Sequence, residues 1–239
     1  MSNAAATSNQ ISWLALTLTP GLGPTRRKRL LKFLGSIEGV LNATLTELEA
    51  AGLSTQAAQS LGTGRSVELA NDELAKAAAA GVQCVTLDDP AYPSRLRHIY
   101  DPPLVLYVRG NVAALSQPGI AVIGTRHPTP YGMGMAERLA CDLATRSFVI
   151  FSGLARGVDT AAHRGAVSSK GKTVAVFGTG VDVVYPKENS PRGLDPQSRR
   201  RSDLRISTEH IRAAAEFSHP QSDHQRNLLR CSGRRSRRI

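Results

Sequence analysis

The chain has 239 residues, of which 41% are apolar, and carries a formal net charge of +11. This length accommodates a domain of ordinary size plus a smaller one. The sequence has no run of about 18 apolar residues and no basic N-terminal segment leading into an apolar one, so we expect neither a membrane span nor a secretion signal. Cys84, Cys141 and Cys231 lie far apart without metal-ligand spacing, which predicts reduced thiols, no metal or cofactor, and a cytoplasmic location.

The positive charge is concentrated at one end of the chain. Residues 190–239 hold 12 Arg against 5 acidic residues, a net +7, whereas residues 1–189 hold 18 Lys and Arg against 14 acidic residues, a net +4. A basic patch on a folded domain is typical of nucleic-acid binding. Here most of the charge lies in the last fifth of the chain, so net charge alone gives weak support for a nucleic-acid partner.

The first eighty residues have the pattern of a small all-helical domain. Residues 1–10 are polar, and we expect them to be disordered. Helical stretches then alternate with short turns, because Ile11–Leu18, Leu41–Leu61 and Val67–Ala80 each end near a proline or glycine. We therefore assign residues 11–80 to a helical domain of the helix–hairpin–helix or SAM-like kind.

A Gly-Leu-Gly turn precedes a strongly basic helix in this domain. In helix–hairpin–helix modules, the backbone amides of such a turn meet a DNA phosphate. Gly21, Gly23, Arg26 and Arg27 are therefore a candidate secondary DNA contact. One short Gly-x-Gly is a weak signal, and a plain interhelical turn with Arg26–Arg29 as a solvated face fits the sequence equally well.

Short apolar runs predict the strands of a second domain, residues 81–189. Val, Ile and Phe dominate the later runs, as in strands covered on both faces. The expected strands are Gln83–Leu87, Leu104–Val108, Ile120–Ile123, Phe148–Phe151 and Thr173–Phe177.

Helical segments separate the last three of these strands. Tyr131–Arg146 places Met135, Leu139 and Leu143 four residues apart, which predicts one apolar face, and Val158–Val167 forms a shorter helix. Alternating strands and helices with short connections predict an α/β fold with a Rossmann-like parallel sheet.

Glycine follows each of the three parallel strands, at the sheet edge where such folds bind ligands. Glycine lets backbone N–H groups approach an anion closely, and the N-termini of the following helices add positive potential. Two arginines join these turns, so we predict a phosphate site. Its candidate residues are Gly124, Thr125, Arg126, Ser152, Gly153, Arg156, Gly157, Gly178 and Gly180.

Four longer motifs follow one another along the chain: DDPAYPSRLRHIYDPPLVLYVRGN, AVIGTR, SGLARGVDTAAHRGA and TVAVFGTGVDVVYPKEN. In this order they resemble the motifs of the bacterial DNA-processing protein A family, also called DprA or Smf. The resemblance implies a non-enzymatic protein that binds single-stranded DNA, protects it and loads the recombinase RecA during natural transformation. It also implies a homodimer and assigns phosphate contacts to Gly124–Arg126, Ser152, Gly153, Arg156 and Gly157.

The resemblance stops after about residue 189, so the parallel sheet is expected to lack its C-terminal part. Residues 190–239 are rich in arginine and have little apolar periodicity, so we expect them to be disordered. With suitable third bases, reading the codons of Glu216–Asn227 one base later yields NFPIPNRIING, and those of Asp203–Glu209 yield ISEFPP, both family motifs. We therefore predict a one-base frameshift near Asn189–Arg192, an exposed sheet edge and impaired function.

Two other functions fit parts of the same pattern. A nucleotide-binding or nucleotide-hydrolysing protein could use Asp159 and His163, which lie four apart on a helix, but the sequence offers no second carboxylate or nucleophile. Dinucleotide binding would need a third glycine after Gly132 and Gly134, and an acidic residue after Phe151. Neither is present.

Overall fold

Nine α-helices, one 3-10 helix and six strands make up the part of the chain that this computed structural model describes, residues 2–177 and 211–214. The helices are α1 (Ser2–Leu18), α2 (Pro24–Leu34), α3 (Ile37–Asn42), α4 (Leu45–Ala50), α5 (Thr55–Gly62), α6 (Arg65–Ala79), α7 (Ser94–Arg97), α8 (Pro130–Thr145) and α9 (Val158–Ser168), with the 3-10 helix at Val112–Ser116. The strands are β1 (Gln83–Thr86), β2 (Val105–Arg109), β3 (Gly119–Ala121), β4 (Val149–Ser152), β5 (Thr173–Phe177) and β6 (Ile211–Ala214).

Helix α1 begins earlier than the sequence predicts. Residues 2–10 were expected to be disordered, but they form the first half of this helix. Its polar side chains anchor it to β1 and the following loop, since Asn9 Nδ2 donates to Asp88 Oδ2 over 2.8 Å and Gln10 Nε2 donates to the Cys84 carbonyl oxygen over 2.8 Å. These long-range bonds explain why a polar segment is ordered.

Local signals set the remaining helices of the N-terminal region. Thr44 caps α4 in a capping box, in which its hydroxyl accepts from the Glu47 N–H while the Glu47 carboxylate accepts from the Thr44 N–H. Gly81, at φ 67°, follows the end of α6, as the sequence predicts. No helix among the described residues is long and apolar enough to cross a membrane.

A six-stranded sheet follows, in the order β1-β2-β6-β5-β4-β3. Strands β3, β4, β5 and β6 run parallel to one another, whereas β1 with β2 and β2 with β6 pair antiparallel. The predicted α/β fold with parallel strands after a helical region is confirmed. Strand β3 lies at one edge of the described sheet.

Strand β6 corrects one expectation about the C-terminal tail. Residues 190–239 were expected to be disordered throughout, but Ile211–Ala214 inserts between β5 and β2, with Val176 opposite Ala213 on one side and Val108 opposite Ala213 on the other. The backbone hydrogen bonds of two neighbouring strands hold this segment despite its weak apolar pattern. The rest of the tail lies outside the described residues.

The packing of α8 against α9 corrects the expected apolar face. Met135 is 46% and Leu139 is 51% exposed, although both were expected to face the core. The buried face of α8 carries alanines instead (Ala136, Ala140 and Ala144), because α9 lies too close for larger side chains. A Cβ on Gly165 of α9 would come 2.0 Å from the carbonyl oxygen of Glu137.

Two strands are more exposed than fully covered strands would be. Ile120 is 37%, Ile123 is 73% and Val176 is 45% exposed. All three were expected to be buried on both sides of the sheet. Ile120 lies on the edge strand β3 and Ile123 in the loop that follows it, whereas Val176 lies on β5 inside the sheet, so the edge position accounts for the first two only.

One hydrophobic core joins the helical region to the sheet. Its members include Trp13 and Leu30 from the helices, Tyr107 from β2 and Phe177 from β5, together with Leu154 from the loop after β4. Leu154 is completely buried even though it adopts φ 55°. The helical region therefore packs directly behind one of the loops that carry the predicted phosphate site.

Candidate functional site

Two loops at the carboxyl ends of β3 and β4 hold most of the predicted site. We call residues 122–129 the first rim loop and residues 153–157 the second rim loop. The first begins with buried Val122 and is exposed at Gly124, Thr125 and Arg126. It ends at Thr129, which caps α8 by accepting a 3.1 Å hydrogen bond from the Gly132 N–H.

The two rim loops are fastened to each other. Ser152 is 3% exposed and its Oγ donates a 2.7 Å hydrogen bond to the Val122 carbonyl oxygen. The Val158 N–H, at the start of α9, donates over 3.2 Å to the Thr125 carbonyl oxygen. These two bonds fix the position of one loop relative to the other.

Glycine is required where the rim loops approach each other. Gly157 has φ 87°, and a Cβ there would lie 2.4 Å from the Thr125 carbonyl oxygen and 2.9 Å from the Arg126 carbonyl carbon. A Cβ on Gly124 would lie 2.8 Å from Val158 Cγ2. The tight contact brings the backbone of Arg126 against the residue that follows Arg156, so the two arginines belong to one surface.

Backbone donors are available along both loops. Within residues 2–177 and 211–214, the N–H groups of Gly124, Thr125, Arg126, Gly153 and Gly157 donate to no acceptor. Unsatisfied N–H groups in irregular loops next to helix N-termini are typical of anion sites. Together with two exposed guanidinium groups, they form a surface suited to phosphate oxygens.

Some predicted site residues have structural roles instead of open ones. The Ser152 hydroxyl is occupied by Val122, so it is not a free donor. A Cβ on Gly153 would lie 2.8 Å from Asp159 Oδ2, so this glycine makes room for a carboxylate. Gly178 and Gly180 lie outside the described residues. The sequence analysis did not single out His127, which is exposed beside Arg126 and adds an imidazole ring to the first rim loop.

Asp159 and His163 are both buried in the start of α9. Asp159 is 7% exposed and accepts a 3.4 Å hydrogen bond from the Ala155 N–H, which orders the second rim loop. His163 is 1% exposed, and its Nδ1 lies 2.7 Å from Thr173 Oγ1. Since Thr173 Oγ1 donates to the Ile150 carbonyl oxygen, Nδ1 of His163 is the donor to Thr173.

The candidate secondary contact is an open turn. Gly21 and Gly23 are exposed, and a Cβ on either would meet no atom within 4 Å. Arg26 is exposed and its Nη1 donates over 3.2 Å to the Gly21 carbonyl oxygen. Arg27 is half-buried and donates to the Thr17 carbonyl oxygen, so it links α2 to α1 and leaves Arg26 as the exposed cation of this pair.

Comparisons with known proteins give a consistent result. The family model of DNA recombination-mediator protein A matches residues 83–203, so the likeness continues past residue 189, where the sequence analysis placed its end. The chain is 34% identical to "Protein Smf" of Synechocystis over 189 residues, 77% of this chain and 48% of that protein. It is 46% identical to "DNA processing protein DprA" of Streptococcus pneumoniae over 101 residues, 42% of this chain and 36% of that protein.

A solved structure agrees with these matches. The crystal structure of DNA processing protein A from Streptococcus pneumoniae superposes with a TM-score of 0.63 at 29% identity, over 84% of this chain and 65% of that one. The chain spans about half or less of the length of these two curated relatives.

Proposed function

Because this chain belongs to the DNA recombination-mediator protein A family, we propose that it binds single-stranded DNA through its phosphates and takes part in DNA processing during natural transformation. The relatives named DNA processing protein DprA support the process, and the rim loops support the mode of binding.

One observation carries the proposal: exposed Arg126 and Arg156 lie on two loops that contact each other, beside backbone N–H groups without acceptors. Guanidinium groups and backbone amides are the usual partners of phosphate oxygens. Contacts of this kind position a strand without reading its bases, so binding should be independent of sequence.

We propose binding without chemical turnover. Asp159 and His163, the pair that a nucleotide hydrolase would use, are buried, and their hydrogen bonds hold the loop and the sheet together. Their environment supports a structural role. A direct check is incubation of the chain with nucleoside monophosphates, in which we expect no release of base or phosphate.

Family membership extends the proposal to two protein partners, RecA and a second copy of this chain. Loading of RecA would be tested by following displacement of a single-strand-binding protein from DNA with and without this chain. Self-association would be tested by light scattering at several protein concentrations.

The main experiment is a salt series of single-strand binding. We expect Arg126→Ala and Arg156→Ala each to weaken binding about tenfold at low salt, because each removes a charge-assisted contact. Each loss should also reduce the slope of log K against log salt by about 0.7. Arg146→Ala, which removes an exposed arginine at the C-terminal end of α8, is the matched control.

Equal effects of all three variants would contradict the proposal, since binding would then follow net charge alone. Unchanged binding in the two rim variants would contradict it as well. Thermal unfolding of each variant separates loss of a contact from loss of the fold.

A further inference from the structure

The first 37 residues contain no acidic residue, and all five of their cations lie on α2. Arg27 is turned toward α1, whereas Arg26, Lys28, Arg29 and Lys32 are exposed. Arg29 lies three residues from both Arg26 and Lys32, and Lys28 lies four residues before Lys32, so the four fall within one half of the helix surface. The rim loops use none of them.

The cations on this side of α2 are not neutralised by the protein. Among the described residues, none of the four forms an ion pair with a carboxylate, although Glu38 follows Lys32 by six residues and Asp101 is next to Tyr100 in the chain. Like charges three or four positions apart on a helix repel each other. A bound anionic chain would remove this repulsion and release counterions.

An exposed aromatic ring stands beside these cations. Tyr100 is 91% exposed. The Lys28 ammonium lies 5.0 Å from the centre of its ring and donates a 3.0 Å hydrogen bond to the Tyr100 carbonyl oxygen. The hydrogen bond holds the ring next to α2 while leaving most of it open to a flat ligand.

We propose that Arg26, Lys28, Arg29, Lys32 and Tyr100, here called the α2 surface, form a second contact for a single strand of nucleic acid. The cations bind successive phosphates and the Tyr100 ring stacks on a base, a combination that tolerates any sequence. This inference rests on the proposed function, because it extends the length of strand that the chain engages beyond the rim loops.

The fixed geometry favours a nucleic acid over an anionic lipid surface. Attraction to lipid headgroups needs positive charge alone. Here Arg26 and Lys28 are each held by a backbone carbonyl oxygen. An ordered row of cations with a stacking ring matches a strand with regularly spaced phosphates and bases.

The test compares two double variants of the full chain on labelled oligothymidine of about 6 and about 30 nucleotides. Lys28→Ala with Arg29→Ala removes two cations of the α2 surface. Arg146→Ala with Lys172→Ala removes two exposed cations elsewhere and is the control. We expect the first pair to weaken binding of the long strand about tenfold and to reduce its salt slope by about 1.4, with little effect on the short strand.

Tyr100 gives a separate readout. Tyr100→Ala should weaken binding of the long strand about tenfold, because base stacking is lost. Tyr100→Phe should bind like the parent, because the ring remains. Neither change removes the backbone oxygen that accepts from Lys28.

Several outcomes would overturn the inference. Equal losses in both double variants would mean that only net charge matters. Unchanged binding of the long strand by Lys28→Ala/Arg29→Ala, with Arg126→Ala still weakening it, would reject the α2 surface and leave the proposed function standing. If Lys28→Ala/Arg29→Ala lost binding to phosphatidylglycerol vesicles but bound DNA as the parent does, the α2 surface would be assigned to lipid. If the α2 variants weakened DNA binding while Arg126→Ala and Arg156→Ala did not, the α2 surface would be supported and the rim loops rejected.

Discussion

Ser152 Oγ donates a 2.7 Å hydrogen bond to the carbonyl oxygen of Val122, thirty residues earlier in the chain, and both residues are buried. This bond ties the end of β4 to the start of the first rim loop. The hydroxyl proton of Ser152 is therefore engaged within the protein, and the phosphate contact predicted at this position stays a prediction.

We expect Ser152→Ala to lower the free energy of unfolding by about 1–3 kcal/mol, because the buried carbonyl oxygen of Val122 loses its partner. Urea unfolding measures this change. Ser168→Ala removes a hydroxyl near the exposed end of α9 and should change the free energy by less than about 0.5 kcal/mol. A similar loss of unfolding free energy in both variants would show that the buried Ser152 hydrogen bond stabilises the fold no more than the exposed Ser168 hydroxyl does.

Gly157→Ala should destabilise the chain by more than about 2 kcal/mol and abolish binding of a single strand. The residue has φ 87°, and a Cβ would lie 2.4 Å from the Thr125 carbonyl oxygen, so the second rim loop must move away from the first. Unfolding and strand binding are measured on the same preparation.

Gly134→Ala is the matched control for this change. Gly134 lies inside α8, where a Cβ would meet no atom within 4 Å, so alanine should stabilise the helix by about 0.5–1 kcal/mol. Unchanged strand binding in Gly157→Ala would contradict the role given to the loop contact.

Asp88→Asn should make the free energy of unfolding vary less with pH in the acid range. Partial burial tends to raise the pKa of Asp88, but hydrogen bonds from Asn9 and Thr86 outweigh it and hold the pKa below its usual value. A lowered folded-state pKa means that the charged form stabilises the fold above about pH 4, and that this contribution is lost as the pH falls through the folded-state pKa.

The measurement is urea unfolding of parent and variant at neutral and at acid pH. The parent should be the more stable protein at neutral pH, and the difference should shrink in acid. Asp72→Asn, at an exposed carboxylate of α6, should stay within about 0.5 kcal/mol of the parent at neutral pH. A difference between Asp88→Asn and the parent that grows in acid would contradict the assignment.

Cys84 should resist alkylation in the folded chain. Burial, and the nearby charge of Glu73, raise the pKa of this thiol to about 12, so the reactive thiolate is scarce near neutral pH. Cys141 is only half-buried and should react faster. Peptide mapping after timed exposure to iodoacetamide distinguishes the two sites, and equal labelling rates without denaturant would contradict this prediction.

The sequence predicted the order of helices and strands well, because apolar runs and glycine or threonine caps are local signals. Strand Thr173–Phe177 was placed with its observed bounds, and the other four predicted strands end within one or two residues of theirs. The buried face of α8 was predicted wrongly, since large apolar side chains suggested Met135 and Leu139. The partner helix instead requires alanines and Gly165, a demand that only the three-dimensional contact reveals.

Strand β6 was missed for a related reason. Its sequence Ile-Arg-Ala-Ala has no alternating apolar pattern, and its pairing with β2 joins residues about a hundred positions apart. In the rim, the sequence identified glycines for access to an anion, whereas the structure shows Gly124 and Gly157 also serving close packing. The frameshift hypothesis stays a prediction, which the nucleotide sequence around the codons for Asn189–Arg192 would test.

Leu154 belongs to the second rim loop and also to the core that contains Trp13 and Leu30. A single strand of DNA bound to this loop would hold Leu154 in place and so stabilise the core that the amino-terminal helices share with it. Amide protons in α1 should therefore exchange more slowly when DNA is bound. Amide exchange in the amino-terminal helices would then report whether DNA is bound at the sheet edge.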